Sequence, residues 1–162
     1  MPGPVFVRPP ARSTCPRRLG LIADTHGALL DDAARELERA SVDLILHAGD
    51  IGGEAVIRAL EAIAPVVAVA GNGDEEDYHR YPWDLKLHLG ARRVLLCHWY
   101  DNFGRLHPRY EGILREWSPE VLVYGHTHES LAEWRGATLF VNPGYAGPLD
   151  RSRERTLAIL DL

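Results

Sequence analysis

The chain has 162 residues, 46% hydrophobic and 25% charged, which is enough apolar material for one globular domain with its own core. Its net charge of −5 argues against a general nucleic-acid-binding protein, so we expect no large nucleic-acid interface. Cys15 and Cys97 are too few for a disulfide framework, and the reducing cytoplasm is the expected location. No apolar run approaches the length of a membrane span, so we expect a soluble protein with no membrane contact.

The first 18 residues are rich in proline and arginine and contain no acidic residue. They lack the apolar segment of a secretory signal, and the prolines fit poorly with the amphipathic helix of an organellar transit segment. We predict that residues 1–18 form a disordered tail and that residues 19–162 form a single domain.

Strand-like and helix-like segments alternate in the first half of the chain. The apolar runs Leu19–Ala23, Val42–Ala48 and Val66–Ala70 are typical of strands buried on both faces. Between them, Leu29–Ala40 and Glu54–Ala64 repeat apolar residues at three- and four-residue spacings, which predicts helices. This β-α-β-α-β order predicts a parallel sheet with right-handed crossovers.

After residue 83 the pattern favours hairpins. The predicted elements are strands Asp84–Leu89 and Arg92–Cys97, a helix Tyr110–Trp117, and strands Val121–Tyr124, Ser130–Trp134, Thr138–Val141 and Thr156–Asp161. Short glycine turns join the first two of these strands, and also Ser130–Trp134 to Thr138–Val141. The fold class is therefore predicted to be α/β, a sandwich with a parallel half followed by an antiparallel half.

Residues that can bind metal ions follow five of the predicted strands. They are Asp24, His26, Asp50, Asn72, His98, His126 and His128. Ligands of open α/β sheets bind beyond the carboxyl ends of the strands, so we expect these side chains at one sheet edge. Mixed carboxylate, amide and imidazole donors suit Mn²⁺, Fe²⁺ or Zn²⁺ better than Ca²⁺ or an all-sulfur site. Seven such donors are enough for a two-metal centre.

Each cluster alone also has a simpler explanation. Asp24 and Asp50 could cap helices, Asn72 could belong to a turn, His98 could be a buried core histidine, and His126-x-His128 taken singly favours neither interpretation. Five such coincidences at one edge are harder to sustain than one metal centre. In an extended segment residues two apart point the same way, so Asp24 and His26 should bind one ion together.

The residues near the clusters receive separate predictions. The glycines at positions 49, 71 and 125 are expected to let the chain turn sharply before its ligands. His47 is expected to be packed or to support a ligand, whereas His79 and His88 are expected at the surface. His107, with Arg105 and Arg109, either borders the pocket or belongs to a solvated basic loop.

The motifs D-x-H, GD, GN, H and GHxH, in this order, resemble those of the calcineurin-like metallophosphoesterases. The GN-x-D form of the third motif and Asn142-Pro143-Gly144 are similar to the small YfcE-type phosphodiesterase branch. This resemblance runs from Leu19 to Leu162. It implies a metallophosphoesterase-like sandwich of two mixed β-sheets flanked by helices.

The resemblance also implies how the ligands are divided. One ion would be bound by Asp24, His26, Asp50 and His128, and the other by Asp50, Asn72, His98 and His126, with Asp50 bridging. The expected cofactors are two divalent ions, Mn²⁺ foremost, with Fe²⁺, Zn²⁺, Co²⁺ and Ni²⁺ as alternatives. Asn142-Pro143-Gly144 is expected to shape the rim without binding metal.

Two positions depart from the family pattern. Many members carry a histidine after the motif asparagine, thought to protonate the leaving group, and here that position is Gly73. Trp99 stands where the family tends to have glycine; it could wall the pocket, stack on a base or pack in the core, and core packing is expected. Gly73, Trp99, Arg105 and His107 are the candidate substrate contacts.

These residues predict a dinuclear phosphoric diester hydrolase in which a metal-bridging hydroxide attacks small phosphodiesters, cyclic or nucleotide-derived ones included. Asp50 and Asn72 are the predicted catalytic residues. Two divalent ions, two aspartates and a hydroxide leave a formal charge of +1, which a diester monoanion balances. A catalytically weak scaffold for protein binding is the alternative, and a homo-oligomer is left open.

Overall fold

The computed structural model describes residues 15–74, 80–99, 107–148 and 154–162. Its elements are β1 (Arg18–Ile22), α1 (Asp31–Ala40), β2 (Leu44–His47), α2 (Glu54–Glu61), β3 (Val66–Ala68), β4 (Asp84–Leu89), β5 (Arg92–Cys97), α3 (Pro108–Trp117), β6 (Val121–Val123), β7 (Leu131–Arg135), β8 (Thr138–Asn142) and β9 (Ala158–Asp161). Residues 1–14 of the predicted tail, and also His79 and Arg105, lie outside the described residues. Within them, no helix is long and apolar enough to cross a membrane.

The strands form two mixed sheets. The first has the order β3-β2-β1-β9, in which β1, β2 and β3 are parallel and β9 runs antiparallel to β1. The second has the order β4-β5-β6-β8-β7. Its two hairpins are antiparallel, as predicted, but β5, β6 and β8 are mutually parallel. The prediction of an antiparallel second half is therefore wrong for the centre of that sheet, because α3 returns the chain to start β6 beside β5 in the same direction.

Successive side chains of a strand point to opposite faces of its sheet and so enter different cores. Leu19 and Leu21 of β1 point into the main core, where the two sheets pack face to face. Ile22 points the other way, into a second core beneath α1 and α2. A third core lies between the second sheet and α3. The molecule is a four-layer sandwich, helices–sheet–sheet–helix, which agrees with the fold class predicted from the resemblance.

α1 packs closely against the first sheet at Gly20. A Cβ atom at this position would lie 2.5 Å from Cδ2 of Leu37, which is fully buried on the helix. Asp31 and Asp32 occupy the first turn of α1, where the positive end of the helix dipole stabilises carboxylates. Ser41 ends the helix in the left-handed conformation. This packing fixes the carboxyl end of β1, from which the loop containing Asp24 begins.

Candidate metal centre

The seven candidate ligands lie in loops at the carboxyl ends of β1, β2, β3, β5 and β6. Hydrogen bonds join these loops: the Gly125 amide donates to the His98 carbonyl oxygen within the second sheet, and the His126 amide donates to Asp24 Oδ2 of the first sheet. The structure therefore brings all seven residues to one edge of the sandwich.

The sequence suggested an extended backbone at the ligands. The structure instead has a left-handed backbone at five of them. Positive φ angles occur at Asp24, His26, Asp50, His126 and His128, with values between 45° and 74°. Such angles cost free energy in residues other than glycine, and they cluster where function requires them. The prediction from extended geometry was therefore wrong in its mechanism, although Asp24 and His26 do approach one another.

The first ligand group consists of Asp24, His26, Asp50 and His128. One ligand atom from each residue lies within 4.8 Å of all the others. The Nε2 atoms of His26 and His128 are 3.3 Å apart, and Nε2 of His128 lies 3.1 Å from Oδ1 of Asp24. Neighbouring ligands of one ion, each about 2.1 Å from it, are roughly 3.0 to 3.4 Å apart. The closest spacings in the group have this size.

The second ligand group surrounds Asn72. Oδ1 of Asn72 lies 3.1 Å from Nε2 of His98 and 2.9 Å from Nδ1 of His126. Nε2 of His98 is also 3.4 Å from Oδ1 of Asp50. Burial, with the neighbouring His98 as a second cause, lowers the pKa of His126, which keeps this imidazole neutral and able to bind a cation.

Asp50 stands between the two groups. Its Oδ1 faces His98, whereas its Oδ2 lies 3.8 Å from Nε2 of His26. The Gly73 amide donates a hydrogen bond of 2.6 Å to Oδ1 and so fixes the rotation of the carboxylate. Each oxygen of Asp50 is thus directed to a different group.

The arrangement of the ligand atoms suits a bound cation better than it suits hydrogen bonds between the ligands. Nδ1 of His98 lies 2.7 Å from the Ala48 carbonyl oxygen, which can only accept, so Nδ1 carries the hydrogen and Nε2 of the neutral ring carries a lone pair. That lone pair faces the oxygens of Asn72 and Asp50, which are also acceptors. A carbonyl that fixes the ring of a histidine in this way is common around metal ligands.

Asp24 provides the second test of fit. Its Oδ1 is buried, and in the described part of the chain it accepts no hydrogen bond, although Nε2 of His128 lies 3.1 Å away. A buried carboxylate oxygen left without a partner costs about 1–3 kcal/mol or more. A divalent ion between Asp24, His26 and His128 would satisfy this oxygen, so the residues present fit the metal.

The model of the calcineurin-like phosphoesterase superfamily domain matches residues 18–162. The chain belongs to this superfamily. The superfamily depends on divalent metal ions, and the Asp and His cluster described above could hold them. The resemblance seen in the sequence motifs is thereby confirmed.

Two relatives show how similar the chain is in sequence to known proteins. A probable metallophosphoesterase from Methanothermobacter thermautotrophicus is 33% identical over 139 residues, which cover 78% of this chain and 75% of that protein. A phosphodiesterase from Methanocaldococcus jannaschii is 25% identical over 142 residues, which cover 78% of this chain and 82% of that protein.

Among the solved structures that share the fold of this chain, two match it over most of its length. The E. coli phosphoesterase YfcE matches with a TM-score of 0.64 and 25% identity, covering 89% of this chain and 88% of that chain. Vps29 from Entamoeba histolytica, in complex with Zn²⁺, matches with a TM-score of 0.73 and 22% identity, covering 90% and 86%. At that identity the likeness to Vps29 concerns the fold alone.

The superfamily motif glycines act in two different ways here. Gly49 has a φ of +90° and turns the chain before Asp50, as predicted. Gly71 and Gly125 do not have positive φ angles; they are small because other groups approach them. A Cβ atom at Gly71 would lie 2.2 Å from the Asp50 amide nitrogen, and one at Gly125 would lie 2.8 Å from the Ala48 carbonyl oxygen. The chain still turns directly after both glycines, as predicted, because the Asp74 amide donates to the Gly71 carbonyl oxygen and the Thr127 amide donates to the Gly125 carbonyl oxygen.

Asp74 has a role that the sequence reasoning missed. Its buried carboxylate accepts hydrogen bonds from the amides of Ile51 (3.0 Å), Gly52 (2.8 Å) and Gly71 (2.8 Å). It thereby joins the loop after Asp50 to the loop that contains Asn72. The acid two residues after Asn72 was visible in the GN-x-D motif, but nothing in the sequence showed that it faces backbone amides.

Asn142 holds the rim of the site, as the resemblance implied. Its Nδ2 donates to the Gly125 carbonyl oxygen at 3.1 Å and to Oγ1 of Thr127 at 2.9 Å. These bonds fix the loop that contains His126 and His128. The ring of Tyr145, which the sequence reasoning also missed, lies 4.8 Å from that of His128 and 5.9 Å from that of His26.

The four candidate substrate contacts are placed differently from one another. Gly73 contacts Asp50 through its amide. Trp99 does not belong to any of the three cores described above; its ring lies 4.8 Å from that of His126, and it walls a cavity beside the centre. His107 accepts a hydrogen bond from the Arg109 amide, caps α3 and lines the same cavity. Arg105 lies outside the described residues.

The two other histidines that the structure describes lie where they were expected. His47 is fully buried and bonds Oγ1 of Thr25 at 2.9 Å, so it supports the loop between Asp24 and His26. His88 is exposed on β4 and contacts the ring of Trp117.

Proposed function

We propose that this protein is a metal-dependent phosphodiesterase that hydrolyses small phosphodiesters, cyclic or nucleotide-derived ones included. The observation that carries the proposal is the pair of ligand groups that share Asp50, one on each of its two carboxylate oxygens. The similarity to a phosphodiesterase from Methanocaldococcus jannaschii supports the choice of reaction.

The residues divide between two ions. Asp24, His26 and His128 would hold one with Oδ2 of Asp50, and Asn72, His98 and His126 would hold the other with Oδ1 of Asp50. When bound, two divalent ions lower the pKa of water, hold the phosphoryl oxygens and stabilise the charge that develops during in-line displacement. Mn²⁺ is the proposed ion because a mixed set of oxygen and nitrogen ligands suits it.

The chain's own residues keep this arrangement in place before substrate arrives. Asp50 is held by the Gly73 amide and is centred between the two groups. Asn72 presents its carbonyl oxygen between two imidazole rings. A backbone hydrogen bond positions Asp50, and two imidazole rings flank Asn72, so the centre needs little reorganisation when the reaction begins.

The charges around the centre favour a diester over a monoester. Two divalent ions, Asp24, Asp50 and a hydroxide sum to about +1, which a diester monoanion neutralises. A monoester dianion would need a further cation, yet in the described ranges no arginine or lysine bonds or pairs with a candidate ligand.

The missing side chain at Gly73 affects which diesters react. No group at this position can protonate the leaving oxygen, and a good leaving group does not require such protonation. We therefore expect activated diesters and strained cyclic diesters to react faster than simple dialkyl phosphates.

The test compares bis(p-nitrophenyl) phosphate with p-nitrophenyl phosphate as substrates of metal-free protein, with and without added Mn²⁺. We expect Mn²⁺-dependent turnover with the diester as the better substrate. Asn72→Ala should lose at least 100-fold in kcat/KM, because it removes a ligand and an orienting group. His88→Ala, an exposed histidine on β4, is the matched control and should keep wild-type activity.

Two results would contradict the proposal. A monoester rate well above the diester rate would reject the assignment of substrate class. Two bound ions per chain without turnover of either substrate would favour the alternative, a metallophosphoesterase fold used to bind another protein.

A further inference from the structure

A cavity of about 270 Å³ lies beside the metal centre. We call it the aromatic cavity; its described lining residues are Trp83, Trp99, His107, Arg109 and Tyr110. They come from three places in the chain: the residue before β4, the residue after His98, and the start of α3. Four of these five carry flat rings, so the described part of the wall is mainly aromatic.

Trp99 connects the aromatic cavity to the metal centre. Its ring lines the cavity and lies 4.8 Å from the ring of His126, with the two planes tilted by 42°. His126 in turn contacts Asn72 at 2.9 Å. Trp99 therefore contacts both the aromatic cavity and the second ligand group.

The charged group in the described wall of the cavity does not favour the binding of an anion. Arg109 is the charged residue of the described lining, and its Nε lies 2.5 Å from Oδ2 of Asp84, which neutralises it. The rings of His107 and Tyr110 pack against each other with centroids 5.7 Å apart. A phosphate would find little compensation here, whereas an uncharged planar ring would find aromatic partners.

We propose that the aromatic cavity binds the nucleobase of a nucleotide-derived diester while the phosphate of that diester lies at the metal centre. The inference rests on the proposed phosphodiesterase function and narrows its substrate class. Aromatic side chains stack on any base, because every base has a π-face. The cavity should therefore favour nucleotides over diesters without a base and discriminate only weakly among bases.

Trp83 is the residue through which the inference is best tested. It is 45% exposed, so its replacement should not disturb the core. Trp134 is a matched control, because it is 68% exposed and belongs to β7, the edge strand opposite β4 in the same sheet. Trp83→Phe keeps a ring in the cavity and should retain most of the effect.

The first arm measures kcat/KM with Mn²⁺ on 2′,3′-cyclic AMP and on ethylene phosphate, which has the same five-membered cyclic diester but no base. Trp83→Ala should lose roughly 5- to 100-fold on the cyclic nucleotide, the usual scale for one stacking residue. Its rate on ethylene phosphate should stay within about twofold of wild type. Trp134→Ala should match wild type on both substrates.

The second arm uses no metal and no reaction. Binding of adenosine to chelator-treated protein is followed by saturation-transfer NMR. Wild type, Trp83→Phe and Trp134→Ala should bind the nucleoside, and Trp83→Ala should bind it several-fold more weakly. Circular dichroism confirms that each variant is folded.

The two arms separate this inference from the proposed function. Adenosine binding that depends on Trp83, without hydrolysis of any diester, would support the cavity and reject the phosphodiesterase. Equal loss on both diesters, or adenosine binding unchanged in Trp83→Ala, would overturn the cavity proposal and leave the phosphodiesterase standing.

Discussion

At the scale of single residues, the candidate centre depends on side chains that do not bind metal. Asp74 accepts three backbone hydrogen bonds, and each of them ends on the loop of Asp50 or that of Asn72. Hydrogen bonds to a buried carboxylate are stronger than neutral ones. Asp74 therefore orders the ligands from behind without being one of them.

Replacing Asp74 by asparagine should weaken the connection between the loop of Asp50 and the loop of Asn72. The amide has the size of the carboxylate but places an NH₂ group against backbone N–H donors. We expect the free energy of unfolding of metal-free protein to fall by about 2–3 kcal/mol. Mn²⁺ affinity should fall roughly 10- to 100-fold, as is usual when a group that orients ligands is lost. Urea denaturation and isothermal titration measure the two quantities.

The control for this substitution is Asp31→Asn, at the exposed first turn of α1. It should change the unfolding free energy by less than about 1 kcal/mol and leave Mn²⁺ affinity unchanged. If Asp74→Asn bound Mn²⁺ as tightly as Asp31→Asn does, the ordering role of Asp74 would be wrong.

At the scale of elements, the important feature is how closely the loops after the strands approach one another. Gly71, in the loop after β3, leaves no room for a Cβ atom because the backbone and carboxylate of Asp50 lie against it. Gly112 is the opposite case: it lies within α3, and nothing lies within 4 Å of an added Cβ atom.

Substituting alanine at these two glycines should give opposite results. Gly112→Ala should raise the free energy of unfolding by about 0.5–1 kcal/mol, because alanine is the better helix former. Gly71→Ala should lower it by roughly 2–4 kcal/mol and abolish tight Mn²⁺ binding, since the loop of Asp50 has to move. Urea denaturation and Mn²⁺ titration of both variants test this. A stable, Mn²⁺-binding Gly71→Ala protein would contradict the close approach.

The elements also show what the sequence could predict. The apolar runs and the helical spacing were informative because burial on both faces leaves a clear pattern, as in Leu21 and Ile22. The parallel pairing of β5, β6 and β8 was not visible, because an apolar strand reads the same in either direction. The left-handed backbone at Asp24 and His26 was not visible either, since contacts between loops impose it.

At the scale of the molecule, the candidate centre lies on the seam between the two sheets. Asp24, Asp50 and Asn72 come from the first sheet, and His98, His126 and His128 come from the second. An ion bound by both sets would link the two sheets beyond their shared core. Stability measurements on this protein therefore need defined metal content, and the metal-free state gives the reference.

One buried group links the stability of the metal-free molecule to pH. The Gly49 amide donates to Nδ1 of His47, so the hydrogen of the neutral ring is on Nε2, which bonds Oγ1 of Thr25. That hydroxyl donates in turn to the Ile51 carbonyl oxygen. A second proton on His47 would meet the Gly49 donor. Burial, which removes water from the ring, lowers the pKa of His47 to about 4.

This shift predicts a loss of stability in mild acid. Between about pH 6.5, the pKa of an unfolded histidine, and about pH 4, the unfolded chain binds a proton at His47 that the folded protein does not. The free energy of unfolding should therefore fall as pH falls through this window, by about 3 kcal/mol from this residue. Urea denaturation of metal-free protein at several pH values measures the slope. His47→Asn keeps an acceptor for the Gly49 amide but cannot titrate, so its slope should be shallower by up to one proton. His88→Asn, on the exposed face of β4, should keep the wild-type slope, and parallel curves for wild type and His47→Asn would show that His47 titrates alike in both states.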